Sequence, residues 1–405
     1  MLLLPGRQHS AVMTDLTKLT SEKTASGTGA AFDVVVAGGG LAGLAGALTL
    51  ARARRSVLVV DEGHPRNAPA ARAHGYLTRD GTPPLELLAA GRAEVAGYGG
   101  QIVAGTVTSL ARLPGAGFRI TLADRTDLTA RRVLVATGLV DEYPDVPGLR
   151  ERWGRDVVHC PFCFGWELRD TPLGVLATGQ QAAAQALMWR QWTADVVLFL
   201  HTAPSPSGEQ AEQLAARGIG VIEGEVIGIQ VTDDRLSGVR LRSGEVVPRR
   251  ALVVGPRFEA RHALLDGLGV TVAEHPLGIG HQVRADASGL TAAPGVWVAG
   301  NAADVTAGVM QAAASGVTAA AAINADLTAE DTAAAVAGAA AHRLPHPMAD
   351  GTGPRKRCGR RRPLRVVVDG ELVGDGQGLA GENVAGVDLG LLQREVAAHA
   401  HLAGA

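Results

Sequence analysis

The segment Gly38–Gly43, which reads Gly-Gly-Gly-Leu-Ala-Gly, constrains the fold of this chain more than any other feature. It follows a β-branched run, Asp33–Ala37, and precedes an Ala- and Leu-rich stretch that is typical of a helix. Gly38 permits a tight turn, Gly40 lets the backbone approach a pyrophosphate, and Gly43 lets helix and strand pack closely. Unpaired N–H groups at the start of the helix then face the phosphates. The pattern predicts a β-turn-α unit that binds a dinucleotide.

An acidic residue stands where such a unit needs one. A second apolar run, Ser56–Val60, predicts a strand that ends in Asp61, and a carboxylate at this point accepts hydrogen bonds from both ribose hydroxyls of a dinucleotide. The alternative is a glycine-rich turn with a purely structural role, and the strand, helix and acid around the turn argue against it. The turn alone does not distinguish FAD from NAD.

The same β-turn-α-β pattern occurs a second time along the chain. The second copy consists of a strand at Gly174–Ala177, a helix at Gln180–Trp192 and a strand at Val196–Leu200. Other predicted strands are Gln101–Leu110, Phe118–Leu122, Arg132–Ala136, Gly220–Gln230, Gly238–Leu241, Ala251–Val254 and Gly295–Ala299. The last strand leads into an Ala-rich helix at about Val305–Asn324. This alternation of strands and helices predicts an α/β chain.

Two of the three cysteines, Cys160 and Cys163, form a C-x-x-C in the segment His-Cys-Pro-Phe-Cys-Phe-Gly-Trp-Glu. Two thiols at this spacing can close and reopen a small disulfide, so the favoured interpretation is a redox-active dithiol. A structural cysteine pair is one alternative. A metal site is another, but it would need a second C-x-x-C or paired histidines at finger spacing, and the sequence contains neither. No metal is therefore predicted.

Length, charge and hydropathy exclude several classes of protein. The chain has 405 residues, enough for two or three domains at about 100–200 residues each. Its net charge of −2 offers no general attraction for nucleic acid or anionic lipid. No apolar run reaches the roughly 18–20 residues of a membrane-spanning helix. Three cysteines are too few for a disulfide scaffold, which predicts a cytoplasmic protein.

The two ends of the chain differ from its body. Residues 1–31 are polar and without periodicity, which predicts a disordered leader. Residues 328–405 are predicted to be a low-complexity, mobile tail, which holds a basic run at Arg355–Arg365. A solvated linker is the favoured interpretation of that run, since no aromatic residues interleave it for base contacts. Cys358 lies within it, and an incidental exposed thiol is favoured over a resolving one.

The order of these motifs resembles that of the low-molecular-weight thioredoxin reductases, which are FAD/NAD(P)-binding pyridine nucleotide-disulfide oxidoreductases. The resemblance covers about Phe32–Leu327, and the Cys-Pro-Phe-Cys-x-Gly-Trp-Glu segment is most similar to the gliotoxin- and holomycin-type dithiol oxidase branch. It implies an α/β fold of two Rossmann-like dinucleotide-binding domains, each a three-layer ββα structure, with the second inserted into the first. The implied FAD-binding domain is 32–155 plus 257–327, and the implied NAD(P)-binding-like domain, which carries the C-x-x-C, is 156–256. The resemblance also implies a homodimer.

The same resemblance implies which residues hold the cofactor. Val133–Gly138 and Gly295–Asn301 match two further FAD segments of the family, although Asn301 stands where the family usually has Asp. An amide keeps one acceptor and adds donors. The implied cofactor-binding residues are Gly38, Gly40, Leu41, Ala42, Gly43, Asp61, Asn67, Gly138, Gly300, Asn301, Gln311 and Ala312. Of the two cysteines, Cys163 is implied to face the flavin and Cys160 to exchange with substrate.

One departure from the family concerns the second nucleotide site. Ala177 stands where the family has the first glycine of this turn. The side chain of Ala177 makes the tight turn harder to form. After the strand that ends at Leu200 the reductases place arginines for the 2′-phosphate of NADPH, but here the chain reads His-Thr-Ala-Pro-Ser-Pro at 201–206. Without a bidentate cation the phosphate loses its strongest contact. The sequence therefore argues against NADPH binding and favours the oxidase branch.

A second departure concerns proton transfer. Phe164 follows the second cysteine, where the reductases have Asp and the oxidase branch commonly has His, and Phe carries no proton. His159 is the nearest substitute, with Glu167 next. The hypothesis is that His159 is a catalytic proton shuttle, and a merely structural histidine is the equal alternative.

The loop after Asp61 holds further polar candidates. Arg66 and Asn67 could reach the pyrophosphate or the ribityl chain of FAD, and His74 lies in the same loop. Ordinary loop polarity is the alternative for all three, and Asn67 is the preferred candidate.

These observations predict an FAD-dependent thiol-disulfide oxidoreductase that oxidises a small-molecule dithiol with dioxygen as acceptor. One alternative is an NADPH-dependent thioredoxin reductase, which would act on a protein disulfide. Another is a non-catalytic flavin-binding regulatory module, against which the intact C-x-x-C argues. No linear motif encodes the identity of the substrate.

Overall fold

The computed structural model describes residues 31–115 and 117–341, so most of the predicted leader, the basic run and Cys358 lie outside the described residues. Along the described residues the strands are β1 (Ala31–Ala37), β2 (Val57–Asp61), β3 (Gln101–Ala104), β4 (Val107–Arg112), β5 (Phe118–Leu122), β6 (Asp127–Val135), β7 (Leu139–Glu142), β8 (Val157–Val158), β9 (Leu173–Leu176), β10 (Val196–Phe199), β11 (Gly220–Ile222), β12 (Val226–Thr232), β13 (Arg235–Leu241), β14 (Val246–Pro248), β15 (Ala251–Val254), β16 (Arg257–Ala260), β17 (Val272–Glu274), β18 (Gly280–Val283) and β19 (Val296–Val298). The α-helices are α1 (Leu41–Arg52), α2 (Pro84–Gly97), α3 (Leu149–Arg152), α4 (Pro161–Phe164), α5 (Ala182–Trp189), α6 (Gly208–Ala216) and α7 (Val309–Ala341). Two 3-10 helices span Ala263–Leu268 and Gly300–Ala302.

The first sheet is built around β1, the strand that precedes the glycine-rich turn. Its order is β3-β2-β1-β6-β5-β4, and β19 joins it by pairing with β6. Strands β3, β2, β1, β6 and β19 run parallel, whereas β4, β5 and β6 form an antiparallel meander. Val34 and Val36 pack in one core with α1 and α7, and Val35 and Ala37 pack in a second core on the other face. Burial on both faces explains the continuous apolar sequence of β1 and β2.

A second sheet repeats this layering. Strands β11, β10, β9, β15 and β8 form it in that order, and all of their pairings are parallel. Leu173 and Val175 face a core with α5 and α6, while Leu176 faces a core with the antiparallel sheet of β12, β13 and β14. Each of these two sheets is thus covered by helices on one face. On the other face, the core of the first sheet includes residues of its own strands β4 and β5, whereas the second sheet packs against the separate sheet of β12, β13 and β14.

A small fourth sheet connects the two units. Its order is β17-β18-β16-β7, so strands that precede and follow the second unit in the chain pair with each other. The chain then returns to the first sheet through β19. The fold is therefore α/β, with two Rossmann-like units of which the second is inserted into the first, as expected. The domain boundaries at 155/156 and 256/257 stay predictions.

Helix α7 is longer than the sequence pattern predicted. It was expected to end near Asn324, with a tail from residue 328, but residues 328–341 continue the helix. Alanine has the highest helix propensity, and Glu330 and Asp331 are held by arginines of the first sheet and of the segment after α1. None of the helices in the described ranges is long and apolar enough to span a membrane.

Candidate active site

The glycine-rich turn has the geometry that its sequence predicts. Gly38 takes a φ of +107°, and its N–H donates to Val60 O at 2.8 Å. A Cβ on Gly43 would lie 1.9 Å from Gly38 O, whereas a Cβ on Gly40 would meet nothing within 4 Å. Gly40 is also the residue that caps the N-terminus of α1. The close packing at Gly43 and the open space at Gly40 together leave room for an anion beside the first turn of α1.

Asp61 lies directly beside this turn. Its Oδ1 accepts the N–H of Gly39 at 3.0 Å, and its Oδ2 lies 4.0 Å from Arg92. A Cβ on Gly39 would come within 2.6 Å of the Asp61 carboxyl carbon. Gly39 stands at a position that the motif leaves unspecified, but here any side chain on it would collide with Asp61. The binding of ribose by Asp61 stays a prediction.

The two later glycine segments approach the same region from other strands. Gly138, with a φ of +73°, accepts the N–H of Arg261 at 3.0 Å, and Gly300 has a φ of +67°. Asn301 uses its amide as a donor: Nδ2 donates to Asp304 O at 3.1 Å and to Ala307 O at 2.9 Å. A carboxylate could make neither bond. Asn301 thus orders the loop that leads into α7.

One cavity of about 1990 Å³ brings the predicted residues together. Of the predicted cofactor-binding residues it is lined by Gly38, Gly40, Leu41, Ala42, Asp61, Asn67, Gly138, Gly300, Asn301, Gln311 and Ala312. Gly43 is absent from the lining because it packs beneath the turn against Gly38. The predicted catalytic residues His159, Cys160 and Cys163 line the same cavity. It exceeds the roughly 300–1,000 Å³ of ordinary small-ligand sites.

Cys160 and Cys163 form a disulfide in the structure, with Cα atoms 5.3 Å apart. Cys160 caps the short helix α4, where Pro161 occupies the first position, and the N–H of Cys163 donates to Cys160 O at 3.2 Å. Proline tolerates the first helical position because its missing N–H has no partner there. The local sequence Cys-Pro-Phe-Cys thus folds into the single turn that brings the two sulfur atoms together.

His159 is held on several sides. Its Nδ1 lies 3.3 Å from Gln185 Nε2, its ring also bonds to the backbone of Val254, and it packs edge-on against Phe258 at 5.2 Å. Burial, followed by the positive charge of Arg66, lowers the pKa of His159 below its usual value. The imidazole is therefore neutral at neutral pH, and its polar atoms are occupied by the protein. The proton-shuttle role stays a prediction, and these contacts favour the structural alternative.

Arg66 does not stand free for the cofactor, as the sequence suggested it could. Its Nε and Nη2 donate to the two oxygens of Asp141, at 2.8 and 2.6 Å, and its guanidinium lies 5.1 Å from the Phe258 ring centre. The Asp141 side chain is only 5% exposed. Sequence reasoning missed Asp141 and Phe258, because nothing local marks partners that lie far away in the chain.

The second nucleotide-binding unit departs from the first at its turn. Neither Ala177 nor Thr178 takes a positive φ, and the Thr178 hydroxyl donates to Gly255 O at 2.7 Å. His201, at the start of the loop 201–207, accepts the N–H of Val226 on Nδ1 at 3.1 Å. That loop contains no lysine or arginine.

Residues 32–320 match the family model described as pyridine nucleotide-disulphide oxidoreductase. The chain therefore belongs to that family, and the predicted resemblance is confirmed. It is similar to the crystal structure of HlmI, with 47% identity, coverage of 77% of this chain and 97% of that chain, and a TM-score of 0.73. Among curated relatives it is 33% identical over 176 residues to a probable thioredoxin reductase of Arthroderma benhamiae, and 30% identical over 248 residues to thioredoxin reductase tcpT of Claviceps purpurea.

The aligned parts of these two relatives differ in extent. The chain spans 44% of the Arthroderma protein and 77% of tcpT, which correspond to 42% and 59% of this chain. Family membership confirms the predicted class, a thioredoxin reductase-like oxidoreductase with FAD as its cofactor. The described residues fit that cofactor, because the space above Gly40 is open and the cavity extends from the turn to the disulfide. No group of three or more metal-ligating side chains occurs among the described residues.

Proposed function

We propose that this protein oxidises a small-molecule dithiol to its disulfide and passes the two electrons to dioxygen, which becomes hydrogen peroxide. One observation carries the proposal. The Cys160–Cys163 disulfide lines the same cavity as the FAD-binding turn, whereas the loop 201–207 of the second unit offers no cation for a 2′-phosphate. An electron source other than NADPH is therefore needed, and a dithiol at the disulfide supplies it.

The disulfide exchange uses the chain's own sulfur atoms. A substrate thiolate attacks Cys160, the Cys160–Cys163 bond breaks, and Cys163 leaves as a thiolate. The second substrate thiolate then attacks the first substrate sulfur, which releases the oxidised product and leaves both cysteines reduced. FAD, when bound, would supply a two-electron acceptor through which the two cysteines could return to the disulfide and dioxygen could be reduced. Cys163 faces the flavin in this scheme, and Cys160 faces the substrate.

Apolar side chains around the disulfide support a small apolar substrate. Phe162, between the two cysteines, lines the cavity and is 76% exposed. Phe162 packs edge-on against Trp192 at 5.7 Å, which holds its ring beside the cavity. An exposed aromatic ring on a cavity wall favours a ligand that buries it.

The test mixes the flavoprotein anaerobically with a dithiol or with NADPH and follows the visible flavin absorbance. We expect bleaching by the dithiol, none within minutes by NADPH, and one hydrogen peroxide per disulfide when air is admitted. Cys160→Ser should abolish bleaching by the dithiol while retaining FAD. Rapid stoichiometric bleaching by NADPH would instead identify an NADPH-dependent thioredoxin reductase. Unchanged electron transfer in Cys160→Ser would favour the flavin-binding module.

We further propose that the protein acts in the cytoplasm as a homodimer. The scarcity of cysteines supports the location, and the resemblance to thioredoxin reductases supports the dimer. Light scattering of the purified flavoprotein would give twice the chain mass of 41.5 kDa if the dimer forms.

A further inference from the structure

Thiol exchange at Cys160 and Cys163 needs a group that takes a proton from the substrate and returns it to a leaving thiolate. Phe164 cannot do so, and the polar atoms of His159 are engaged by Gln185 and Val254. The proton-transfer group must therefore be another titratable side chain of the cavity.

His74 lines the cavity and is held by two carboxylates. Its Nδ1 lies 3.1 Å from Asp80 Oδ2, and its Nε2 lies 3.4 Å from Glu167 Oε1. The other Asp80 oxygen accepts the N–H of Gly75 at 2.8 Å, so the carboxylate is itself oriented. Glu167 is four residues beyond Cys163, which brings the segment that carries the disulfide next to His74. The His74 side chain is 19% exposed.

We propose that His74 is the proton-transfer residue of the disulfide exchange and that Asp80 is its positioning residue. This rests on the proposed function only in requiring a dithiol substrate. His74 Nε2 takes the proton of the substrate thiol as its sulfur attacks Cys160, and it returns a proton to the thiolate that leaves. The two electrons pass from substrate to enzyme disulfide, and the two substrate protons end on the enzyme thiols.

The surroundings of His74 suit this role. Asp80 hydrogen-bonds Nδ1 and so favours the tautomer that carries its proton there, which leaves Nε2, 3.4 Å from the 44% exposed Glu167 carboxylate, as the nitrogen that exchanges a proton. Asp80 has its own pKa lowered by the Gly75 N–H and by His74, so it remains ionised. Glu167 faces the ring from the disulfide segment, and Arg72 lies behind the same turn, where its Nη1 donates to Gly81 O at 2.9 Å.

The test measures anaerobic reduction of the FAD-loaded protein by dithiothreitol in a stopped-flow instrument between pH 6.5 and 9.5. At pH 7 we expect His74→Gln to be slower than wild type by about tenfold or more, as is typical when a proton-transfer group is removed. Near pH 9.5 the difference in rate between His74→Gln and wild type should disappear, because thiols of pKa about 8.5 are then already thiolates. Asp80→Asn should show a smaller loss that closes at the same pH.

His281→Gln is the matched control, since His281 makes a comparable pair with Glu259 at 2.8 Å but is not among the residues that line the cavity. It should behave as wild type. A loss in His74→Gln that persists at pH 9.5, or no loss at any pH, overturns the inference and leaves the proposed function intact. If His74→Gln does not retain FAD, the pH profile of Asp80→Asn decides between the same outcomes. Failure of dithiothreitol to reduce the wild-type protein would overturn the proposed function itself.

Discussion

Gly40 and Gly43 lie three residues apart, yet a methyl group would meet very different surroundings at the two positions. At Gly43 it would collide with Gly38 O, and at Gly40 it would point into open space. The backbone of Gly40 is extended, with a φ of −70° that any residue adopts. Gly43 is thus required by the packing of the protein, whereas nothing in the packing requires Gly40, and its role in the approach of a ligand stays a prediction.

This contrast gives a first prediction. Gly43→Ala should destabilise the FAD-free protein by about 1–3 kcal/mol through overpacking. Gly40→Ala should leave the FAD-free protein within about 0.5 kcal/mol of wild type, as surface substitutions do, but should weaken FAD binding. Chemical denaturation and fluorescence titration with FAD measure the two effects. Gly179→Ala, in the corresponding turn of the second unit, is the control and should change neither the free energy of unfolding nor the FAD affinity. An equal FAD affinity for Gly40→Ala and wild type would contradict the prediction.

Asn301 gives a second prediction. Its amide donates to two backbone carbonyls of the loop before α7, so Asn301→Asp removes both hydrogen bonds and sets a carboxylate against the carbonyl oxygens. We expect a loss of about 2 kcal/mol in the free energy of unfolding and earlier FAD release on heating. Asn324→Asp is the control, because Asn324 accepts from Arg55 and an aspartate keeps that bond. Equal effects of the two substitutions would argue against the assigned donor role.

Among the helices, α7 shows how charge can extend an element beyond its apolar part. Residues up to Leu327 pack in the core, and the following turn is held by ion pairs instead. Glu330 contacts Arg131 at 3.0 Å and Arg132 at 2.5 Å, and Asp331 contacts Arg55 at 2.7 Å. The ion pairs thus tie this turn to the first sheet and to the segment after α1.

The Glu330 pairs give a pH-dependent prediction. Burial alone would raise the pKa of Glu330, but hydrogen bonds from Arg132 and Arg131 outweigh it and lower the pKa. A carboxyl with a lowered folded-state pKa stabilises the fold above its usual value of about 4.3, and that stabilisation is lost as the pH falls through the folded value. Because Glu330 is 38% exposed, Glu330→Gln should cost only about 0.5–1 kcal/mol at pH 7.

Denaturation of wild type and Glu330→Gln between pH 3 and pH 8 measures the difference. It should shrink toward zero at the acidic end and at high salt. Glu212→Gln, on the exposed face of α6 where the structure shows no ion pair, is the control and should have no effect at any pH. A difference that grows as the pH falls would contradict the sign.

The predictability of the elements followed the continuity of their apolar sequence rather than their length, since the 14-residue helix α2 was not predicted. The buried parallel strands β1, β2 and β15 and helix α1 were predicted within about three residues, because apolar runs bounded by glycine leave few alternatives. The strands β16, β17 and β18 were not predicted. They have three or four residues each, and they are too short for an alternation to show.

At the level of the whole molecule, the site forms where parallel strands end. Gly38 follows β1, Asp61 ends β2, Gly138 follows β6 and Gly300 follows β19, and these strands are neighbours in one sheet. Ligands of α/β sheets bind outside the carboxyl ends of the strands. The convergence of the cofactor residues on one cavity was therefore predictable once the motifs were placed on strands.

Contacts between side chains from distant segments were not predictable in this way. Arg66 meets Asp141, His74 meets Glu167, and His159 meets Gln185 because packing of the sheets and loops brings them together. No spacing in the chain encodes such pairs. They decide which polar groups remain available for proton transfer: His159 is held by Gln185 and packs against Phe258, whereas His74 lines the cavity between two carboxylates.

The glycine-rich turn, the acid after the second strand and the C-x-x-C could be interpreted from sequence because each performs its role through backbone geometry within a few residues. The family, the cofactor and the order of the two units followed from them. The roles of individual histidines and arginines depended on folding, because the state of a titratable group is set by its burial and by charges that arrive from elsewhere in the chain. Motifs are local in sequence, whereas electrostatics and packing are local only in space.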